Sequence, residues 1–240
     1  IINCSFKDEM VPANWKKANV VPIPKSKPVK DFNKDLRPIS LTPVISKIAE
    51  EFVIEKELKP AIKSVIDINQ YGGIDKSSAT MALISMLHQW SKSSDGNAAS
   101  VRVILFDFRK AFDLVDHEIL VHKLKHLNIK PPTFNWIVDF LTNRQQRVKL
   151  TDHSFSQWSH VPAGVPQGSK LGPWLFVLMI NDLKISPTFD LWKFIDDTSI
   201  SEVIPKMSPS VIQPAVDEMV VWSDQNRFQL HPTKSKELRI

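Results

Sequence analysis

The sequence predicts an α+β fold in which an antiparallel sheet carries acidic side chains at the ends of its strands. Three observations lead there. Residues 189–200 place two apolar, strand-like arms around Asp196-Asp197, the pattern of a tight hairpin with acids at its tip. Residues 101–108, ending in Phe106-Asp107-Phe108, are an almost continuous β-branched and aromatic run, as expected of a strand buried on both faces. Around these stand several segments with apolar residues at helical spacing.

The bulk properties set bounds. A chain of 240 residues, 42% hydrophobic and 24% charged, has ordinary globular composition and can bury a sizeable core, as one large domain or two small subdomains. A net charge of +5 suits a polyanionic partner. The single cysteine, Cys4, excludes an internal disulfide framework and a cysteine-based zinc site, and fits a reducing compartment. No apolar run approaches the ~20 residues that cross a bilayer, so no membrane partner is expected. The start at Ile1 rather than Met, without a signal peptide, reads as a piece of a longer protein.

Along the chain, residues 1–14 are expected as an irregular lead-in broken by Pro12. Residues 18–23 read as a short strand ended by proline. The basic, proline-broken stretch with Lys25, Lys27, Lys30, Lys34 and Arg37 reads as a flexible cationic loop suited to phosphates. Ser40 or Thr42 is then expected to cap a helix with Val44, Ile45, Ile48, Ala49, Phe52 and Val53 on its apolar side. Gln70-Tyr71-Gly72-Gly73 reads as a turn, followed by a helix from Ser77 or Ser78 through Met81, Leu83, Ile84, Leu87 and Trp90. Residues 93–97 read as a polar loop.

Beyond Asp107, Asp116 is expected to cap a helix over 117–127 whose core stripe is Ile119, Leu120, Leu124 and Leu127. His122 and His126 are four apart, a metal spacing, but no acid or cysteine completes the set and they read as surface residues. Pro131-Pro132 opens a helix reaching 141, and residues 146–150 and 156–161 alternate like paired strands. Residues 161–169 form a turn-rich loop whose glycines let backbone approach a ligand closely, ahead of an apolar helix over 171–183. After the hairpin, residues 209–222 read as a helix with Val211, Ile212, Ala215, Val216, Met219 and Val220 inward.

The acids carry the chemistry. Two adjacent carboxylates repel unless a cation lies between them, and a divalent metal is the usual answer. Alone, Asp196-Asp197 reads as a solvated turn. The second acid, ending a strand, changes that, because a carboxylate there is costly to bury without a partner. Neighbouring strands lie about 4.8 Å apart. With the Asp107 strand beside the hairpin, all three acids come within reach of two Mg²⁺ ions, which clamp the attacking and leaving oxygens of a phosphoryl transfer.

Phe106-Asp107-Phe108-Arg109-Lys110-Ala111-Phe112-Asp113, then Ala163-Gly164-Val165-Pro166-Gln167-Gly168-Ser169, then Phe194-Ile195-Asp196-Asp197 resemble, in that order, the reverse transcriptase domain of non-LTR (LINE-type) retrotransposons. The resemblance runs from about residue 15 to residue 234. It implies the palm and fingers of a right-hand polymerase, with an antiparallel palm sheet, helices packed on one face, a fingers-like region over 15–100, a palm over 101–240 and the thumb missing. It implies an RNA-directed DNA polymerase, a nucleotidyltransferase that extends a DNA primer or target DNA on an RNA template with dNTPs. Two Mg²⁺ ions, with Mn²⁺ as a substitute, would be its cofactors.

Residue by residue, the resemblance gives Asp107, Asp196 and Asp197 as catalytic acids and, with the backbone carbonyl of Phe108, as metal ligands. Arg37, in Arg37-Pro38-Ile39-Ser40-Leu41, would grip the incoming triphosphate, with Lys25 as a second candidate. Phe112 would pack under the sugar and exclude a 2′-hydroxyl, which disfavours an RNA-synthesising relative on the same palm. Gln167 and Gly168 would lie near nucleotide and template, and Lys234, in His231-Pro232-Thr233-Lys234, would approach the leaving pyrophosphate. The remaining domains of the parent polyprotein, an endonuclease and a thumb, are implied partners, and a nuclear, intracellular location in a eukaryotic host is implied. The chain departs from the family pattern at Gly73, Lys170, Trp174 and Ile195. Ile195 stands where a small residue often precedes the acid pair, and Trp174 must find room in the core. Such drift leaves a second reading, an inactive or domesticated polymerase-like nucleic-acid-binding domain.

Overall fold

The computed structural model describes residues 1–25, 27–32, 35–94 and 100–240, with backbone alone at 93 and 94. Lys34 and residues 95–97 of the expected polar loop lie outside the described residues. In chain order the elements are α1 (Ile2–Lys7), β1 (Lys17–Pro24), β2 (Leu36–Leu41), α2 (Val44–Val53), a π-helical turn (Ile54–Leu58), α3 (Lys59–Lys63), α4 (Ala79–Ser94), β3 (Ser100–Phe106), α5 (His117–Lys125), α6 (Pro131–Leu141), β4 (Gln145–Val148), β5 (Ser159–His160), α7 (Leu171–Met179), β6 (Asp190–Phe194), β7 (Asp197–Ile204), α8 (Gln213–Gln225) and β8 (Lys236–Arg239). They fall into two compact units, Ile1–Val65 with Val115–Phe176, and Ile66–Leu114 with Val177–Ile240. The change-over expected at residue 100 lies inside the second unit. Among the described residues no helix is long and apolar enough to cross a membrane.

The first unit is built on a sheet of order β2-β1-β4-β5, antiparallel except for the β1–β4 pair. β2 is an edge strand, which is why it tolerates Pro38 opposite Pro22. Arg37 therefore stands on a strand, opposite Ile23, rather than in a flexible loop. The expected irregular lead-in contains α1, because its Phe6 ring packs 5.4 Å from Trp136, whose indole N–H donates to Ser5 Oγ at 2.8 Å. A six-residue helix is unstable by itself and is held by these distant partners.

The expected apolar face of α2 is also overturned. Ala49 and Val53 are buried, but so are Ser46 and Glu50, while Val44, Ile48 and Phe52 are exposed. The reason is a capping duty. The Glu50 carboxylate accepts the backbone N–H groups of Lys170 at 2.7 Å and Leu171 at 3.1 Å, at the start of α7, and the Ser46 hydroxyl at 2.8 Å. A carboxylate against unpaired N–H groups at a helix N-terminus is favourable even when buried. Neither Ser40 nor Thr42 caps α2, since Pro43 holds that position and Ser40 belongs to β2. Trp174 stays half-exposed, with the Lys59 ammonium 5.9 Å from its ring centre, so the core makes no room for it. α5 is capped by Asp116 and buries Leu120 and Leu124, and α6 buries Trp136, Ile137, Phe140 and Leu141. α7 ends at Met179, short of residue 183.

The second unit carries a fully antiparallel sheet of order β6-β7-β3-β8. α4 packs on it through Ala82, Ser85 and Trp90, not through Met81, Leu83, Ile84 and Leu87, which are exposed. Indole hydrogen bonds decide the face. Trp90 on α4 donates to Ser201 at 3.1 Å, Trp192 on β6 donates back to Ser85 at 3.1 Å, and the two rings meet edge-on at 6.0 Å. α8 begins later than expected and leaves Val211 and Val220 exposed while burying Ala215, Met219 and Trp222.

Candidate active site

β6 and β7 pair up to Phe194↔Asp197, leaving Ile195 and Asp196 as a two-residue loop. β7 also pairs with β3 up to Phe106↔Thr198. The next positions along the two strands are Asp107 and Asp197, so the register sets them opposite each other, where Cβ atoms lie about 5 Å apart. Asp196 sits one residue further, on the loop itself. The structure thus brings together at one end of the sheet, across its two inner strands and the hairpin loop, the three acids that the sequence singles out.

A second segment fixes Asp107 from its other side. The His231 N–H donates to the Asp107 carbonyl at 2.7 Å, and the Arg109 N–H donates to the Gln229 carbonyl at 2.8 Å. Asp107 and Arg109 therefore turn their backbone groups toward residues 229–231. Phe108 lies between them, so its own carbonyl turns the opposite way, toward the β7 side. Its ring is buried against Phe228 at 5.3 Å and Trp222 at 6.3 Å, which anchors that backbone orientation. The turn beyond His231 brings the exposed Lys234 ammonium to 3.6 Å from Asp107 Oδ2. Phe112 lies half-buried on the 3-10 turn Ala111–Leu114 that follows.

The site is electrostatically loaded. Burial pushes the Asp196 carboxyl above the ordinary range, and the Asp197 and Asp107 charges push it further. Asp197 is raised by burial and then by Asp107. Asp107 Oδ2 is buried and accepts no hydrogen bond, and the charge facing it is the Lys234 ammonium at 3.6 Å. Among the described residues no three His, Cys, Asp or Glu side chains form a ready-made metal cage. Mg²⁺ does not need one, because it takes one or two carboxylates and completes its shell with water and substrate phosphates. Asp107 and Asp196, with Asp197 and the Phe108 carbonyl beside them, fit that donor set.

Arg37, Lys25, Gln167 and Gly168 belong to the first unit. Arg37 and Lys25 are exposed. The Gln167 carbonyl accepts the Ser40 N–H at 2.7 Å, tying the glycine-rich loop to β2, the strand of Arg37. Gly168 has φ +125°, and a Cβ there would stand 2.5 Å from the Ser40 carbonyl oxygen. Gly168→Ala is expected to cost about 1–3 kcal/mol, read as a lower urea midpoint.

Sequence reasoning missed a buried ion pair behind the hairpin. Lys193, on β6, is fully buried and donates to Asp67 at 2.6 Å and to the Leu183 carbonyl at 2.9 Å. It also missed Gln70, read only as part of a turn, which is 5% exposed and bonded to the hairpin loop. The available signal was a lysine at an inward position of an otherwise apolar strand arm.

Comparison with known proteins gives matches at both levels. Residues 23–239 match the family described as "Reverse transcriptase (RNA-dependent DNA polymerase)". The chain is 29% identical over 235 residues to "RNA-directed DNA polymerase from mobile element jockey" of Drosophila melanogaster, covering 93% of this chain and 25% of that protein. It is 27% identical over 183 residues to "Probable RNA-directed DNA polymerase from transposon BS" of the same fly, covering 76% of this chain and 20% of that protein. The chain therefore spans a fifth to a quarter of the length of these relatives. Among solved structures, telomerase of Candida tropicalis in complex with a telomeric RNA fragment aligns with TM-score 0.64 at 10% identity, over 96% of this chain and 42% of that one. At that identity the likeness speaks for the fold alone.

Proposed function

The chain belongs to the reverse transcriptase (RNA-dependent DNA polymerase) family, and on that premise we propose that it adds deoxynucleotides to a DNA primer on an RNA template. A bond forms from the primer 3′-oxygen to the α-phosphorus of a dNTP, the bond from that phosphorus to the bridging oxygen breaks, and pyrophosphate leaves. The observation that supports this most is the convergence of Asp107 with Asp196 and Asp197 at one end of the sheet.

Asp107 and Asp196, assisted by Asp197 and the Phe108 carbonyl, would hold two divalent cations, Mg²⁺ or Mn²⁺ in its place. When bound, the ions supply a lowered pKa at the primer hydroxyl and charge neutralisation at the triphosphate. The protein's own part is positioning. Arg37 donates bidentate hydrogen bonds to triphosphate oxygens, with Lys25 as a second cation. Gln167 and Gly168 face nucleotide and template. Lys234 supplies charge or a proton to the leaving pyrophosphate, from beside Asp107.

The named relatives come from transposable elements and are several times longer. The parent protein would accordingly add further domains, a thumb and an endonuclease, and work on target DNA in the nucleus of a eukaryotic host. Primer extension on poly(A) RNA with oligo(dT), dTTP and Mg²⁺ tests the reading. Incorporation is expected, whereas RNA binding without incorporation favours a non-catalytic scaffold. Phe112→Val is expected to lower the preference for dNTP over rNTP by about tenfold or more, measured as the ratio of the two kcat/KM values. An unchanged ratio would remove Phe112 from sugar selection.

A further inference from the structure

The loop that carries Asp196 has a conformational problem. Ile195 holds φ +58°, a left-handed backbone that a β-branched residue adopts only when its surroundings enforce it. The enforcing groups lie in residues 67–72. The Gln70 side-chain oxygen accepts the Ile195 N–H at 3.3 Å and the Gly72 N–H at 2.9 Å. Gly72 is pressed against the same loop. A Cβ on it would stand 2.4 Å from the Ile195 nitrogen and 2.6 Å from Ile195 Cγ1. The segment is in turn laid along β6, with the Tyr71 N–H donating to the Lys193 carbonyl and the Lys193 N–H to the Asn69 carbonyl, both at 2.8 Å. The buried Lys193–Asp67 pair locks it there.

Gln70 has a further peculiarity. Its Nε2 is buried without a hydrogen-bond partner. A buried orphan donor is costly. The opposite amide orientation would point that NH₂ group at two N–H donors, which is worse. The side chain is therefore placed for its oxygen, and that oxygen serves the loop.

We propose that Gln70 is a positioning residue, which with Gly72 holds the Ile195-Asp196 loop, and so the Asp196 carboxylate, in the conformation the metal pair requires. The proposal rests on the polymerase reading above for its purpose and on the contacts just given for its mechanism. Residues 69–72 act as a backstop behind the loop, and the strain at Ile195 makes the backstop necessary. A residue that adopts positive φ freely at position 195 lessens the dependence on Gln70.

The test uses the full chain with Gln70→Met, of similar length but with no acceptor, alone and combined with Ile195→Gly. Three readouts are taken: amide hydrogen exchange, Mn²⁺ affinity by electron paramagnetic resonance, and primer extension. Gln70→Met should speed exchange at residues 195–197 by about tenfold and leave the rest of the sheet unchanged. It should weaken Mn²⁺ binding by about tenfold or more and lower kcat more than it raises KM. In the Ile195→Gly background the same substitution should matter several-fold less. Uniform acceleration across β3, β6 and β7 would mean that Gln70 merely stabilises the sheet, and would overturn the proposal. Unchanged exchange and Mn²⁺ affinity would overturn it too. Failure of the wild-type chain to extend a primer would count against the polymerase reading alone, since exchange and Mn²⁺ binding judge Gln70 without it.

Discussion

Asp196→Asn is expected to reduce Mg²⁺-dependent dNTP incorporation by about a thousandfold or more, with RNA binding close to normal. The substitution keeps size and removes one of the charges that would hold the ions, so the loss should fall on kcat. The same change should stabilise the metal-free protein at neutral pH. Asp196 is raised above its unfolded pKa, chiefly by burial and then by Asp197 and Asp107. A carboxyl shifted this way lends its full stability only below the unfolded pKa of about 4, and loses it as pH rises through the higher folded value. At pH 7 the ionised acid therefore strains the fold, and Asn relieves that strain. Urea titrations in chelator at pH 7 should show the variant above wild type, with the gap closing near pH 4. A variant that keeps wild-type incorporation would remove Asp196 from the catalytic set.

The second large effect is on stability. Lys193→Met is expected to cost about 3–5 kcal/mol, because it leaves the nearly buried Asp67 carboxylate without its partner. Burial lowers the Lys193 pKa and the hydrogen bond to Asp67 works against that shift, so the lysine is itself in tension between desolvation and pairing. The carbonyls of Leu183, Asn181 and Ile180 would lose their shared donor as well. For a chain of 240 residues the melting temperature should fall by about 10 °C. Combining Lys193→Met with Asp67→Asn should recover part of the loss, since no bare charge then remains buried. Equal melting temperatures for wild type and Lys193→Met would show the pair to be dispensable.

These two residues mark what the amino-acid pattern could and could not reveal. That Asp107, Asp196 and Asp197 would meet was legible because two apolar strand-like runs each end in acid, and strands of one sheet bring such ends together. The hairpin was legible from its two alternating arms. Lys193 was not, because nothing in a local pattern says that a lysine will meet an aspartate from far along the chain. The same holds for α2 and α4, whose apolar residues Val44, Ile48, Phe52, Met81, Ile84 and Leu87 are exposed. Their buried faces were chosen by tertiary hydrogen bonds, Glu50 to the start of α7 and Ser85 to the Trp192 indole. Periodicity counts apolar residues and is blind to such polar duties. Arg37 was expected in a loop and stands on a strand, because the pairing of β2 with β1 is non-local. Gln70 escaped for a related reason: its partner, the Ile195 N–H, lies on the far hairpin.

The central claim is that the acids of β3 and of the β6–β7 loop together hold the metal ions of nucleotide transfer. Anomalous X-ray scattering from crystals of the chain grown with Mn²⁺ and an unreactive dNTP analogue tests it most directly. The prediction is a pair of ions touching carboxylate oxygens of both Asp107 and Asp196, with the analogue's phosphates completing their shells. Ions held elsewhere, or bound by one of these carboxylates and not the other, would contradict it.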